Sequence, residues 1–161
     1  MKRFTAFILA AFMTLSLAAC GGSGSSSSAA KEVDPAALAD EMLEAISPQG
    51  EMLEVTGDVA ANYYDLGEDV AAYKIYISTM YIGEEVAVLQ VADSGSADAV
   101  KAACEKRIQD LKDSFDGYLP DEYAAVDANA TVLSNGNIVA MVTGTADGVA
   151  AAKEVFEKAF Q

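Results

Sequence analysis

Apolar and polar positions along residues 34–161 follow a period that switches several times, and each switch marks an element boundary. Leu38, Met42, Ala45 and Ile46 recur at helical spacing behind Asp34-Pro35, an N-cap acceptor followed by proline at the first helical position. Ser47-Pro48-Gln49-Gly50 stops that run. Met52, Leu53 and Val55 read as a short extended link, and residues 57–66 as a second, shorter helix with Val59, Tyr63 and Leu66 inward. Gly67-Glu68-Asp69 breaks it. Residues 72–78 alternate and are β-rich, and residues 85–93 form a second strand run. Ser94-Gly95-Ser96 then caps a long helix. Its Val100, Cys104, Ile108, Leu111, Phe115 and Tyr118 fall at spacings of 4, 4, 3, 4 and 3, one continuous apolar stripe. Gly117 and Pro120 end it, and residues 121–128 hold one or two helical turns. Thr131-Val132-Leu133, a turn at Asn135-Gly136, and residues 138–142 make a hairpin, with Asn-Gly between two apolar runs as the signal. A last helix over residues 146–160 places Val149, Ala152, Phe156 and Phe160 on one side.

The predicted order is αα-ββα-ββα: an α+β fold with a mainly antiparallel four-stranded sheet packed with helices. Ala97-Asp98, Val100, Ala102-Ala103 and Glu105 match Ala146-Asp147, Val149, Ala151-Ala152 and Glu154 at a constant offset of 49. Duplication of a ββα unit explains that match, and so does the grammar that any Ala-rich amphipathic helix shares.

The amino end has a different pattern. Lys2 and Arg3 precede an apolar run from Phe4 to Leu17 of about 14 residues, short of the roughly 20 that span a bilayer. Leu17-Ala18-Ala19-Cys20 puts small residues at a cleavage point and a thiol directly after it, the arrangement of a bacterial lipoprotein signal. Residues 1–19 are therefore read as a leader. Residues 20–33 are the lipidated Cys20 with a Gly/Ser tether, and residues 34–161 one domain. Two acyl chains on Cys20 hold a protein firmly to a membrane where one does so only marginally. Gly21-Gly22-Ser23-Gly24-Ser25-Ser26-Ser27-Ser28 behaves as flexible coil and lifts the domain clear of the headgroups.

Charge narrows the partners. Loss of Lys2 and Arg3 with the leader leaves 8 Lys and Arg against 25 Asp and Glu, a side-chain sum of −17. A surface this acidic repels nucleic acid and anionic lipid, so no nucleic-acid partner is expected. The 128 residues from Asp34 onward suit one core. Once Cys20 is acylated, Cys104 is the one remaining thiol, and an internal disulfide is impossible. The chain has no His, which removes the usual general base and the commonest metal ligand.

Cys104 lies inside the apolar stripe and reads as a buried, inert thiol. Arg107 is the single Arg after cleavage; it pairs with a carboxylate at the core edge, Asp121 or Glu122, or holds an anionic ligand through its fork of donors. Asp110, Asp113 and Asp116 read as a solvated helix face, because their spacing does not fit a calcium loop. Tyr76 points away from the face shared by Tyr73, Ile75 and Ile77. It is core if helices cover that side and part of an apolar binding surface, with Met80, if they do not. Arg107, Tyr76 and Tyr118 are the ligand-contact candidates. No catalytic residue, metal site or cofactor is expected, since the sequence holds no GxGxxG, P-loop, GxSxG, HExxH or CxxC.

One stretch of the chain resembles a domain-of-unknown-function family of small lipoproteins from Gram-positive, mostly anaerobic gut-type bacteria. The residues carrying the likeness are the strand Glu85-Val86-Ala87-Val88-Leu89-Gln90-Val91, then Arg107 and Ser114-Phe115. They continue through Tyr118-Leu119-Pro120-Asp121-Glu122-Tyr123 and Gly136-Asn137-Ile138-Val139. Tyr63-Tyr64-Asp65-Leu66 is similar to that family's Tyr-Tyr-Gly segment, with Asp65 where glycine is usual. The resemblance implies a lipidated single-domain protein with no assigned activity. The expectation is a non-enzymatic, lipid-anchored binding or accessory module at the outer face of the cell membrane, meeting an envelope protein or a small ligand. Its rivals are a small carboxylate-dependent enzyme and a structural partner of a transporter complex.

Overall fold

The computed structural model describes residues 32–161 apart from Asp65; the leader, Cys20 and most of the tether lie outside the described residues. Helix α1 (Pro35–Ile46) starts as its sequence dictates, with the Asp34 carboxylate accepting from Ala36 N at 2.9 Å and Pro35 at the first position. It ends where Ser47 takes a left-handed conformation, φ 49°. Then follow β1 (Met52–Glu54), α2 (Gly57–Tyr64), β2 (Val70–Ser78) and β3 (Glu85–Val91). A short turn of 3₁₀ helix leads into α3 (Ala97–Phe115), and α4 (Pro120–Asn129), β4 (Thr131–Asn135), β5 (Ile138–Thr143) and α5 (Ala146–Ala159) complete the chain.

The sheet has five strands in the order β1-β2-β3-β5-β4, every neighbouring pair antiparallel. Helices cover both faces. Val86, Val88, Ile138, Ala140 and Val142 pack against α1 and α5, while Ala87, Leu89, Val91, Val139 and Met141 pack against α2 and α3. That double cover is why β3 and β5 read as nearly unbroken apolar runs rather than as alternation. Helix α4 closes a third, smaller cluster on α3 through Leu111, Phe115 and Val126.

The fold class is α+β, as the sequence indicates, but the expected four strands become five. The stretch read as an extended link is strand β1, with Met52, Leu53 and Glu54 opposite Ser78, Ile77 and Tyr76. Three residues are too few to show alternation, and the strand exists because β2 offers it a free edge. Residues 121–128 belong to a full helix of 10 residues. Helix α2 presents Ala60 and Tyr64 to the core, and Val59 is half exposed, so its inward face is rotated from the one expected. The hairpin turn sits one residue later: Asn135 pairs with Ile138, leaving Gly136-Asn137 at the bend with Gly136 at φ 57°. Helices α3 and α5 lie on opposite faces of the sheet. A two-fold relating antiparallel β3 and β5 would place both on one face, so the two ββα units are not superposed by such a rotation.

Candidate functional site

Glu85 begins β3 on the face covered by α2 and α3, and only about 1% of it is exposed. A bare carboxylate there would be costly, and three donors meet it. Arg107 of α3 donates from Nη2 to Oε2 at 2.7 Å and from Nε to Oε1 at 3.0 Å, a two-pronged contact that suits the guanidinium fork. Tyr64 of α2 donates its hydroxyl to Oε1 at 2.5 Å, and the Met141 sulfur lies 3.7 Å from the same hydroxyl. The Tyr63 ring covers the guanidinium, whose carbon sits 4.2 Å from the ring centre. Burial pulls the Arg107 pKa down, but its hydrogen bonds to Glu85 and the carboxylate charge outweigh that, so it stays cationic. Burial, then the neighbouring Glu85 charge, pushes the Tyr64 hydroxyl well up, so it remains a donor. The cluster ties α2, β3 and α3 together at one end of the sheet.

Arg107 is therefore paired, as the sequence indicates, but with Glu85 and not with Asp121 or Glu122. Glu122 instead accepts from Gly83 N at 2.9 Å. Sequence reading missed Glu85 and Tyr64. The available signal was an acid opening a strand whose next four residues, Val86-Ala87-Val88-Leu89, are apolar on both faces. Glu84, its neighbour, is buried too, but strand geometry sends it to the opposite face. There its Oε2 accepts from Gln49 N at 2.8 Å. Glu84 Oε1 and the Thr143 hydroxyl are buried without a partner among the described residues.

Cys104 is fully buried beside this cluster, as expected from the stripe, and burial with the nearby Glu85 charge pushes its thiol from the usual 9.0 up to about 12. The sign follows directly. The unfolded thiol ionises near 9 and the folded one near 12, so its contribution to stability is complete below pH 9 and is lost as pH rises towards 12. Tyr64 acts in the same direction. Stability should fall through that window, and Cys104→Ala should flatten the fall; urea titrations at stepped pH measure it. An unchanged slope would show that the thiol titrates as freely folded as unfolded.

Tyr76 faces α1. Its hydroxyl donates to Asp40 Oδ1 at 2.6 Å, and Lys74 lies 2.9 Å from the same carboxylate oxygen. The Tyr76 hydrogen bond and then Lys74 hold the Asp40 pKa below its ordinary value. The ring packs on the α1–α5 core, so this side of β2 is covered rather than open. Asp110 pairs with Lys106 at 2.6 Å and Asp113 accepts from Gln109 at 2.7 Å, while Asp116 is exposed. Among the described residues no group of three or more Cys, Asp or Glu is placed to hold a metal ion.

Tyr118 departs from its expected place. Gly117, at φ 68°, ends the stripe at Phe115 and turns Tyr118 out of the core. Its ring meets Tyr81 edge-on, centroids 6.4 Å apart and planes at 76°. Tyr81 lies on the β2–β3 connection and Tyr118 on the α3–α4 connection. What fixes the two loops together is Gly83. A Cβ on it would stand 2.4 Å from Val126 Cγ2 and 3.1 Å from the Phe115 ring, so the backbone seats directly on the α3–α4 cluster.

The described residues form an α+β fold in which the buried Glu85 is clasped by Arg107 and Tyr64 and the most exposed rings stand together at one sheet end. The chain belongs to the family described as Domain of unknown function (DUF4358), which matches residues 44–144. That span holds Tyr63, Tyr64, Glu85, Arg107, Tyr81 and Tyr118, and leaves out α5 and most of α1. No curated protein and no solved structure matches the chain significantly.

Proposed function

We propose that this protein is a lipid-anchored, extracytoplasmic binding module without catalytic activity of its own, held to the cell membrane through Cys20. The observation that carries the non-enzymatic reading is the divergence of the two buried acids. Glu84 and Glu85 are adjacent in sequence yet point to opposite faces, and Glu85 is taken up by Arg107 and Tyr64. Two-carboxylate chemistry needs both groups at one substrate, with their pKa values pushed apart by environment. The anchor rests on Leu17-Ala18-Ala19-Cys20 and the Gly/Ser tether behind it. No described helix is long and apolar enough to cross a membrane, so a membrane hold through the described residues would need another device.

Metabolic labelling with an alkyne fatty acid tests the anchor. Wild type should take up the label and Cys20→Ala should not, with the variant shifting from the membrane to the soluble fraction. Equal labelling of the two removes the anchor and, with it, the localisation.

A further inference from the structure

We infer that the Tyr81–Tyr118 pair is the docking surface for a Lys- or Arg-bearing segment of another protein, an inference that rests on the binding-module reading and names its partner class. Tyr81 is 77% exposed, Tyr118 67% and the adjoining Met80 59%, the largest such values among the described large hydrophobic side chains. The two rings alone offer on the order of 300 Å² of side-chain surface, the range of the largest and often functional patch on a monomeric domain. The rings come from connections far apart in sequence and meet in a defined edge-to-face geometry. Beneath them Gly83 is packed on Val126 and Phe115, and its N–H is bound by Glu122. A platform held this way loses little side-chain freedom when covered, which is what makes tyrosine effective at interface centres.

Charge selects the occupant. Neither residues 75–85 nor residues 113–126 contain a single Lys or Arg, while Asp116 and Asp121 flank Tyr118 and are exposed. Lys112, the nearest basic residue along α3, is held by Asp127. Aromatic faces attract cations through their quadrupole, and the carboxylates add to that attraction and repel acidic partners. Exposure argues against a small ligand as the occupant: such ligands are mostly enclosed by their sites, and both rings stand largely out in solvent. A protein segment broad enough to dry the rings fits both observations.

The test uses the full lipidated protein in nanodiscs of neutral lipid and a short fluorescein-labelled peptide of alternating arginine and glycine, read by anisotropy at physiological salt. The glutamate–glycine counterpart and labelled chitotetraose serve as the other probes. Wild type should bind the arginine peptide and not the glutamate one. Tyr81→Ser/Tyr118→Ser, at exposed positions that leave Tm unchanged, should weaken binding roughly 10–30-fold. Glu154→Gln/Glu157→Gln, far along α5 on the opposite face of the sheet, should change it by less than about twofold. An equal loss in both variants means diffuse attraction to an acidic surface, and no arginine-peptide binding means no such site; either overturns the inference. Tyrosine-dependent binding of chitotetraose instead overturns it in favour of a glycan and leaves the binding-module reading standing. A photo-crosslinker at position 118 separates the remaining case. If no probe binds and no adduct forms on cells, the module reading falls with the inference, whereas an adduct with a non-basic protein sinks the inference alone.

Discussion

Arg107→Met is expected to destabilise the domain by about 3–5 kcal/mol, a fall in Tm of roughly 10–20 °C. The side chain it removes is the cationic partner of Glu85, a carboxylate that is almost wholly buried. With the guanidinium gone, one Tyr64 hydroxyl is left to face a charge held away from water. Tyr63 also loses the cation beneath its ring, and α2 loses a tie to α3. The control is a double variant, Glu85→Leu with Arg107→Met, which removes both charges. It should recover most of the loss, because an apolar pair of similar volume needs no compensation in a dry site, although the Tyr64 hydroxyl is then short of an acceptor. Chemical denaturation of the three proteins decides the matter. A single variant within 1 kcal/mol of wild type would mean that water reaches Glu85 and the clasp described above is not one.

The second large effect lies on the other face of the sheet. Gly148 sits in the first turn of α5, where a Cβ would come within 2.6 Å of the Ile46 carbonyl oxygen and 3.1 Å of its Cα. Both obstructing atoms are backbone at the end of α1, so no rotamer change relieves the clash and the helix itself must move. Alanine also favours helix over glycine by about 1 kcal/mol, which acts in the opposite direction. Overpacking against backbone costs about 1–3 kcal/mol and occasionally more, and here it should prevail. Gly148→Ala is therefore expected to lower stability by about 2 kcal/mol net. A raised Tm in a thermal melt would show that α1 and α5 can part without loss, against the close packing seen between them.

How much of this was legible in the residues differs from element to element. Helices α1, α3 and α5 carry long periodic signals and strands β2 to β5 show as alternating or unbroken apolar runs, and the helix cores follow: Leu38, Met42 and Ile46, then Val100, Cys104 and Leu111, then Val149, Ala152 and Phe156. Strand β1 is too short to announce itself and takes its conformation from the edge of β2. Helix α4 has its apolar residues poorly segregated, with Val126 the one buried, so residues 121–128 read as no more than one or two turns and Pro120 as the end of α3 rather than the start of a new helix. The partner of Arg107 was out of reach for another reason. Which acid meets it depends on where α3 crosses the sheet, and that is set by the non-local pairing of β3 with β5. Tyr118 failed as a core residue because a left-handed Gly117 outweighs a spacing that otherwise continues the stripe.

The contact between α1 and α5 has a consequence for how the chain comes into being. Synthesis delivers Leu38, Met42 and Ile46 before any strand, yet the surface that buries them includes Val149, Ala152 and Phe156, made only after the whole sheet. A growing polypeptide therefore has no finished core to collapse into until α5 has left the ribosome.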